Sequence, residues 1–454
     1  MNNYLTEKKP FYALLMFSLP MIIGNMFQQL YTLADSAVVG RYEGISALAA
    51  IGASTSLTNI FIFIASGGGI GASVIVSRYF GAKEYKKMKS AVYTAMLSFL
   101  ALSVALAVFG LMCGKEILVL LKTPFDALGL ATEYLNIYFI GLPLLFMYNV
   151  TSSMFNAMGK SKIPLVFLIF SSVLNVALDI YMVAFLDMGI TGAAWATFIA
   201  QGVSAVLSFA VFMFYMTRIK EKCKKCFDSG ELFTMSRVAL PSILQQSTVS
   251  IGLMLVQAAV NGFGSEVLAG FTASTRVESL IIVPFIAIGN SLSSYTAQNL
   301  GAGKPERVAY GYRTANGMVA MFAVLIFAFL HFFNSDLVAL FLGEELTEAA
   351  LQTGSGYMSF MSMFYVLIGL KMSTDGLLRG SGDMLTFTVA NLINLALRVI
   401  LATTLAPEFG VEFVWYAVPV GWAINFILAY TRYRTGKWKN IFTKKETQCT
   451  KPSN

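Results

Sequence analysis

Apolar segments, each about long enough to cross a lipid bilayer as one helix, follow one another along almost the whole chain. A helix needs roughly 20 apolar residues to cross the hydrocarbon core. Only 12% of the 454 residues are charged, whereas soluble domains carry about 25%. We therefore predict an all-α integral membrane protein with twelve spans. They are residues 13–37, 46–75, 90–113, 132–155, 163–186, 190–216, 236–261, 268–297, 308–332, 351–376, 384–406 and 413–432.

The second half of the sequence repeats the first in outline. Leu19-Pro20 recurs as Leu240-Pro241, and Gly81-Ala82 recurs as Gly301-Ala302. Duplicated apolar chains are common among secondary transporters. Six spans per copy is an even number, so the two copies enter the membrane in the same sense, as parallel repeats. We expect two six-helix lobes around a central cleft.

Lysines and arginines lie mainly on one side of the predicted spans. Three fall on the far side and three within spans, so 26 of the 32 lie on the side of the N-terminus. Cytoplasmic loops carry such an excess, so we place both termini in the cytoplasm of a multi-pass plasma-membrane protein. The same distribution accounts for the formal net charge of +8, so we expect no nucleic-acid partner. The expected divisions are an N-terminal lobe at 1–217, a cytoplasmic linker at 218–235, a C-terminal lobe at 236–435 and a basic cytoplasmic tail at 436–454.

Two aspartates, Asp35 and Asp179, lie within apolar segments of the first half, and the second half has no acid at the corresponding positions. An acid in a span costs at least about 2.5 kcal/mol on insertion scales and usually faces a water-filled cavity or an ion path. Low dielectric favours a protonated carboxyl, which can carry a proton. With neighbouring oxygen donors the same acids can hold a hard monovalent cation. We predict that both aspartates exchange a coupling ion, H⁺ or Na⁺.

Polar side chains accompany these acids on neighbouring spans. Asn175 lies four residues before Asp179, and Thr197 lies four residues before Gln201, so each pair shares a helix face. For the amides and hydroxyls alone, the alternative is that they join helices by hydrogen bonds. The fourth span contributes Tyr134, Tyr138 and Asn149.

The second half carries a different set of polar residues within its spans. Lys371 and Asp375 are spaced i, i+4, so they either neutralise each other as a structural ion pair or serve function. Asn394 and Arg398 occupy roughly the positions that Asn175 and Asp179 hold in the first half. The candidate substrate contacts in both halves are Gln28, Gln201, Gln245, Glu278 and Lys371.

Proline and glycine mark two further features of the predicted helices. Pro20 and Pro241 lie inside the first helix of each repeat, where a proline removes a backbone hydrogen bond and gives either a hinge or a static bend. The glycine run from Gly67 to Gly71 lies within an apolar helix and does not follow a strand. It therefore predicts close helix packing and not a phosphate-binding loop.

Four cysteines in the chain do not make a disulfide framework. Cys223-x-x-Cys226 lies in a lysine-rich loop, where such a pair could bind a metal or do redox work, but no second ligand pair accompanies it. We interpret these as incidental thiols and expect neither a resident metal nor a cofactor.

Several motifs together resemble one family. Leu19-Pro20, Ala34-Asp35-Ser36, the segment from Leu174 to Asp179 and the segment from Gln298 to Gly303 are similar to motifs of the MATE family of multidrug and toxin extrusion transporters, in its bacterial branch with an acidic site in the N-terminal lobe. The resemblance implies an antiporter that alternates between outward-open and inward-open states. It would export cationic or amphipathic drugs and toxins in exchange for protons or sodium ions, and we expect it to act as a monomer in membrane lipid.

The resemblance also implies roles for individual residues. Pro20 matches the bend in the first helix of the family. The residues that match the N-lobe coupling site are Asp35, Asn175, Asp179 and Thr197, with Tyr134 and Asn149 beside them. A sodium ion would be held by the first four of these.

Three other functional classes fit the sequence less well. A flippase for a lipid-linked or other amphipathic metabolite shares this build, but it would usually have fourteen spans and a more cationic cleft. An enzyme is not expected, since the chain has one histidine and no HExxH motif. A channel would need repeated filter elements, which the sequence lacks. The flippase is the alternative that stays open.

Overall fold

The structure is a computed structural model that describes the chain from Tyr4 to Ile441, except residues 33–49, 51, 53, 56, 121–122, 124–126, 224, 253, 344–345 and 440. Asp35 and the tail from residue 442 onward therefore lie outside the described residues. Within the described part, eleven helices are long and apolar enough to cross a membrane. Large apolar side chains such as Met112, Phe332 and Leu340 are exposed on these helices, as expected where lipid tails are the solvent. The predicted all-α, multi-span membrane fold is confirmed.

The helices follow the predicted spans in order. The first half contains α1 (Tyr4–Glu7), α2 (Pro10–Gly81, with candidate spans Pro10–Thr32 and Leu57–Gly81), α3 (Tyr85–Leu120), α4 (Phe125–Ala157), α5 (Lys162–Asp179), a π-helical segment (Ile180–Phe185) and α6 (Gly189–Arg218). The second half contains α7 (Ser229–Asn261), α8 (Ser265–Ile281), α9 (Val283–Gly301), α10 (Pro305–Leu342), α11 (Glu348–Ser362), α12 (Tyr365–Ser381), α13 (Met384–Thr404), α14 (Ala406–Phe409) and α15 (Glu412–Arg434).

The tenth predicted span, residues 351–376, is built differently from the others. It consists of two consecutive helices, α11 with 15 residues and α12 with 17. Each is shorter than the roughly 20 residues that cross a bilayer, so this span is a broken helix. The eighth span also divides, at Ile282, because Pro284 in the first turn of α9 has no backbone N–H to continue the ladder of α8.

The chain forms two compact units whose boundaries fall inside helices. One unit is Ile23–Ile243, and the other is Met1–Ile22 with Leu244–Asn454. The predicted lobes at 1–217 and 236–435 stay a prediction. The units differ from them because the first 22 residues pack with the second half and residues 218–243 pack with the first.

Hydrogen bonds to backbone carbonyls hold the N-terminal segment within the second-half unit. Asn299 Nδ2 donates to the carbonyl of Leu5 at 3.1 Å, and Lys304 Nζ donates to the carbonyl of Thr6 at 3.1 Å. Arg307 Nη2 donates to the carbonyl of Lys8 at 2.6 Å. Charge-assisted bonds of this kind are stronger than neutral ones. They explain why α1 and the start of α2 belong to the unit formed by the second half.

Close backbone approach holds the start of α7 within the first-half unit. A Cβ at Gly71 would lie 2.3 Å from Ala239 Cα, and one at Gly67 would lie 2.8 Å from Ile243 Cα. Tyr79 Oη also donates to the carboxylate of Glu231 at 3.0 Å. The prediction that the glycine run serves helix packing is confirmed.

We predict that Gly71→Ala lowers the thermal midpoint of unfolding in detergent, because its methyl group would overlap the backbone of α7. Overpacking of this kind costs about 1–3 kcal/mol. Gly317→Ala is the matched control, since a Cβ there has no atom within 4 Å. Equal midpoints for Gly71→Ala and wild type would show that α2 and α7 do not pack this closely.

Candidate functional site

A cavity lies between α4 and α6 in the first-half unit. It is a small, open pocket: the space that the centre of a water-sized molecule can occupy is about 20 Å³, and the 340 Å³ of empty space around it includes open solvent. Tyr134, Thr197 and Gln201, which the sequence predicted as functional, all lie in its wall. The lining residues are Tyr134, Ile137, Tyr138, Gly141 and Leu145 from α4, and Ala194, Thr197, Phe198 and Gln201 from α6.

Helical spacing places these side chains together. On α4 the polar lining residues Tyr134 and Tyr138 are four apart, and on α6 Thr197 and Gln201 are four apart, so each pair lies on one helix face. Both tyrosines are half-buried, and the hydroxyl of Tyr138 donates to the carbonyl of Thr58 at 3.4 Å. The wall therefore combines aromatic rings with hydroxyl and amide groups.

A hydrogen-bonded chain leads from the cavity wall to Asp179. Asn175 contacts Thr197 Oγ1 at 3.2 Å. One orientation of the Asn175 amide satisfies both neighbours: its nitrogen donates to Asp179 Oδ2 at 3.0 Å, and its oxygen accepts from the Thr197 backbone N–H and hydroxyl at 3.2 Å. This orientation is assigned from the hydrogen-bond network. Three of the predicted coupling residues are thus in one network.

Asp179 is the last residue of α5, directly before the π-helical segment Ile180–Phe185. Its side chain is fully buried, with 0% exposed surface, and Asn175 is 2% exposed. π-Helical turns inside α-helices are frequent at functional sites. A buried carboxylate at this depth needs a hydrogen-bond donor or a cation to balance its charge, and the Asn175 amide supplies one donor.

Other predicted residues are placed differently. Asn149 Nδ2 donates to the carbonyl of Leu145 on its own helix at 2.9 Å, so its amide is engaged beside the cavity. Gln28 is exposed, and Pro20 lies inside a helix. Asp35 lies outside the described residues, so its proximity to Asp179 stays a prediction.

The buried ion pair of the second half forms as the spacing predicted. Lys371 Nζ lies 2.8 Å from Asp375 Oδ2, and the Lys371 side chain is 2% exposed. Asn391 Nδ2 also donates to Asp375 Oδ2, at 3.2 Å. Lys371 is therefore engaged in an ion pair, and its role as a substrate contact stays a prediction. Gln245 is buried, and its role as a substrate contact also stays a prediction.

Glu278 has a partner that the sequence did not indicate. Tyr357 Oη on α11 donates to Glu278 Oε2 at 2.7 Å. The two residues are 79 positions apart, and helical spacing relates only neighbours within a few residues. Tyr357 and Asn391 were both missed for this reason.

The two loop cysteines lie side by side. Cys223 Sγ is 3.9 Å from Cys226 Sγ, and hydrogen bonding to Cys223, together with its charge, raises the pKa of the Cys226 thiol. The described residues contain no cluster of three or more metal-ligating side chains. The loop is fixed to α3, where Lys89 Nζ donates to the carbonyl of Ile219 at 2.7 Å.

Comparison with known proteins gives consistent matches along most of the chain. The family model MatE matches residues 20–181 and again residues 241–404, one match for each half. The "Probable multidrug resistance protein YpnP" of Bacillus subtilis (strain 168) is 30% identical over 441 residues, 95% of this chain and 97% of its own. "Probable multidrug resistance protein YoeA" of the same organism is 27% identical over 434 residues, 92% of each chain. A solved structure, "Crystal structure of MATE in the bent conformation", shares the fold with a TM-score of 0.88 at 24% identity, and the match covers 96% of this chain and 98% of that one.

We predict that Thr197→Val destabilises the protein, because it removes the hydroxyl that Asn175 contacts in a buried position. The Thr197 backbone N–H still donates to the Asn175 oxygen in this variant, so the cost is that of one lost hydrogen bond, about 0.5–1.5 kcal/mol. Thr197→Ser keeps the hydroxyl and should unfold close to wild type. The measurement is the thermal midpoint in detergent, and equal midpoints for the valine and serine variants would show that this contact contributes nothing.

We also predict that Cys223→Ser speeds alkylation of Cys226 at neutral pH. The neighbouring thiol raises the pKa of Cys226, so at a given pH less of it is the reactive thiolate. Removing Cys223 lowers that pKa and moves the alkylation profile to lower pH. Trypsin cuts between the two cysteines at Lys224 and Lys225, so mass spectrometry follows Cys226 alone, with the Cys113 peptide as internal reference. An unchanged profile would show that the two thiols do not interact.

Proposed function

Since the chain belongs to the MatE family of multi-pass membrane transporters, we propose that it exports drug-like molecules in exchange for an ion that binds in its first half. It is a multidrug efflux transporter and not an enzyme. The observation that carries the coupling proposal is the network from the cavity wall through Thr197 and Asn175 to the buried Asp179. We infer that Asp35 completes this site.

The coupling ion acts by balancing the buried charge of Asp179. With no cation bound, the carboxylate relies on the Asn175 amide and its other neighbours for compensation. A proton neutralises it outright. A sodium ion would instead use the carboxylate together with the oxygens of Asn175 and Thr197, because hard cations prefer oxygen ligands. Both ions fit the donor set, and the choice between H⁺ and Na⁺ decides only which gradient drives export.

Export follows if the ion and the drug favour different states of the protein. A ligand shifts a conformational equilibrium only by its differential affinity for the two states. A cationic drug near Tyr134 and Gln201 is stabilised by an ionised Asp179 and is released when the ion neutralises that acid. Thr197 joins the cavity wall to Asp179. Binding of the ion at Asp179 would therefore change the hydrogen bonding of a residue that lines the drug site.

The remaining parts of the proposal concern membrane placement and motion. We infer that both termini are cytoplasmic, because the basic residues lie on that side of the spans. The protein would act as a monomer in the plasma membrane. Pro20 would serve as a hinge, and Gln28, Gln245 and Glu278 stay candidate substrate contacts.

We predict that Asp179→Asn and Asp35→Asn each abolish gradient-driven efflux of a cationic dye from proteoliposomes of known orientation. Both substitutions keep the side-chain shape but remove the group that exchanges the ion. A pH gradient and a sodium gradient are imposed separately, and the one that drives wild-type efflux identifies the ion.

Asp187→Asn is the matched control for these variants. Asp187 is exposed and has a positive φ of 52°, a conformation that asparagine adopts readily. This control should transport as wild type does. Normal efflux by Asp179→Asn and Asp35→Asn would remove the first-half coupling site, and failure of wild type under both gradients would favour a lipid or metabolite flippase.

A further inference from the structure

The loop between α6 and α7 carries two cysteines whose sulfur atoms lie side by side. The sequence pattern by itself predicts incidental thiols at Cys223 and Cys226. The structure places Cys223 Sγ 3.9 Å from Cys226 Sγ. A disulfide bond is about 2.05 Å long, so a short movement of the two side chains would bring the sulfurs within bonding distance. The two thiols are therefore placed to react with each other as a pair.

The chain on either side of Cys226 is held by helix α3. Ser90 Oγ donates to the carbonyl of Lys225, the residue directly before Cys226, at 2.9 Å. The backbone N–H of Asp228 donates to Thr94 Oγ1 at 3.0 Å. Ser90 and Thr94 are spaced i, i+4, so they lie on one face of α3. A loop that is already held loses less conformational entropy when a disulfide closes than a free loop does.

Both thiols can be reached from solution. Cys226 is exposed and Cys223 is half-buried. Buried structural cysteines are inert, whereas partly exposed cysteines in positively charged surroundings are the reactive ones. Positions 220–225 contain four lysines and one glutamate, and such a positive loop attracts anionic molecules. Glutathione disulfide is an anionic oxidant of thiols, because it carries more carboxylates than ammonium groups.

A metal ion is the other chemistry that a C-x-x-C pair supports. Structural zinc sites take four protein ligands, and the part of the chain that the structure describes contains no group of three or more metal-ligating side chains. Two thiols can close a disulfide without any further ligand. The observations therefore favour a redox reaction over a resident metal.

The side of the membrane on which the loop lies decides how long a disulfide there would last. The loop is on the side of the basic residues, which we infer to be the cytoplasm. Cytoplasmic thiols are kept reduced, and the disulfides that do form there are usually transient and either catalytic or redox-sensing. Exposed disulfides are also the more easily reduced ones. We therefore expect a bond that opens and closes with the redox state of the cytoplasm.

We propose that Cys223 and Cys226, held by α3, form a redox site that low-molecular-weight disulfides oxidise to an intramolecular disulfide. One cysteine thiolate attacks a sulfur of glutathione disulfide, breaks its S–S bond and releases one glutathione thiolate. The other cysteine thiolate attacks the resulting mixed disulfide and releases the second glutathione. The protein dithiol loses two electrons and two protons, and glutathione disulfide gains them. This chemistry rests on the proposed membrane orientation only for the short life of the bond.

The test equilibrates purified full-length protein in detergent with mixtures of reduced and oxidised glutathione. The reaction is quenched with acid, free thiols are alkylated, and the protein is digested with trypsin. A closed disulfide joins the peptide of residues 223–224 to that of residues 226–237, and mass spectrometry measures this linked pair. All samples carry Cys449→Ser, which removes a thiol that lies outside the described residues, and the Cys113 peptide is the internal reference.

The dependence on reduced glutathione identifies the product. At fixed glutathione disulfide, a tenfold rise in reduced glutathione lowers the ratio of oxidised to reduced protein about a hundredfold for a closed disulfide, because two glutathiones are released. A mixed disulfide with one glutathione would fall only about tenfold. We expect the hundredfold change for the protein with both cysteines. Cys223→Ser should give only the mixed disulfide on Cys226, with the tenfold change.

A second pair of variants tests the contribution of α3. Ser90→Ala removes the hydroxyl that holds the carbonyl of Lys225 and should lower the oxidised-to-reduced ratio about twofold or more, because a freer loop loses more entropy on closing. Ser98→Ala is the matched control, since the Ser98 hydroxyl on the same helix has no hydrogen-bond partner among the described residues. Equal ratios for Ser90→Ala and Ser98→Ala would show that α3 does not prepare the pair.

Three other results would overturn the proposal. Absence of the linked peptides at every glutathione ratio would show that the thiols do not pair. A tenfold dependence for the protein with both cysteines would show that each thiol takes up glutathione separately. Zinc that copurifies in equimolar amount and blocks oxidation until a chelator removes it would assign the pair to a metal site. Dye efflux enters none of these measurements, so failure of the proposed transport function would leave them unaffected.

Discussion

A carboxylate buried at membrane depth must have its charge balanced, and this requirement organises the first half of the protein. Asp179 is fully buried, and its balance depends on the Asn175 amide, which is oriented in turn by Thr197. Thr197 also lines the cavity between α4 and α6. Any cation that neutralises the acid therefore changes the hydrogen bonding of a residue at the cavity wall. Under the proposed function, this short chain of contacts would link the ion to the cargo.

The two halves of the chain repeat one arrangement of helices but carry different buried charges. The first half holds a buried acid joined through Asn175 and Thr197 to a cavity wall, whereas the second half holds the buried ion pair of Lys371 with Asp375. The repeated arrangement of helices therefore does not extend to the buried charges.

Local patterns in the sequence predicted what depends on local physics. The i, i+4 spacing of Lys371 and Asp375 predicted their ion pair, and the glycine run predicted close helix packing, although the sequence did not indicate that α7 is the helix that packs there. Long-range contacts were not accessible in the same way. Tyr357 meets Glu278 from 79 positions away, and the break between α11 and α12 carries no proline or glycine at Met363 and Phe364. Neither feature follows from a local sequence pattern.

If Asp179 exchanges an ion for cargo, binding of a cationic dye should release that ion. A cationic dye is added to purified protein in weakly buffered detergent solution, and released protons and released sodium are measured separately. We expect wild type to release one of these ions in proportion to bound dye, and Asp179→Asn to bind dye with much less release. Equal release by both proteins, or dye binding by wild type with no release of either ion, would contradict the account.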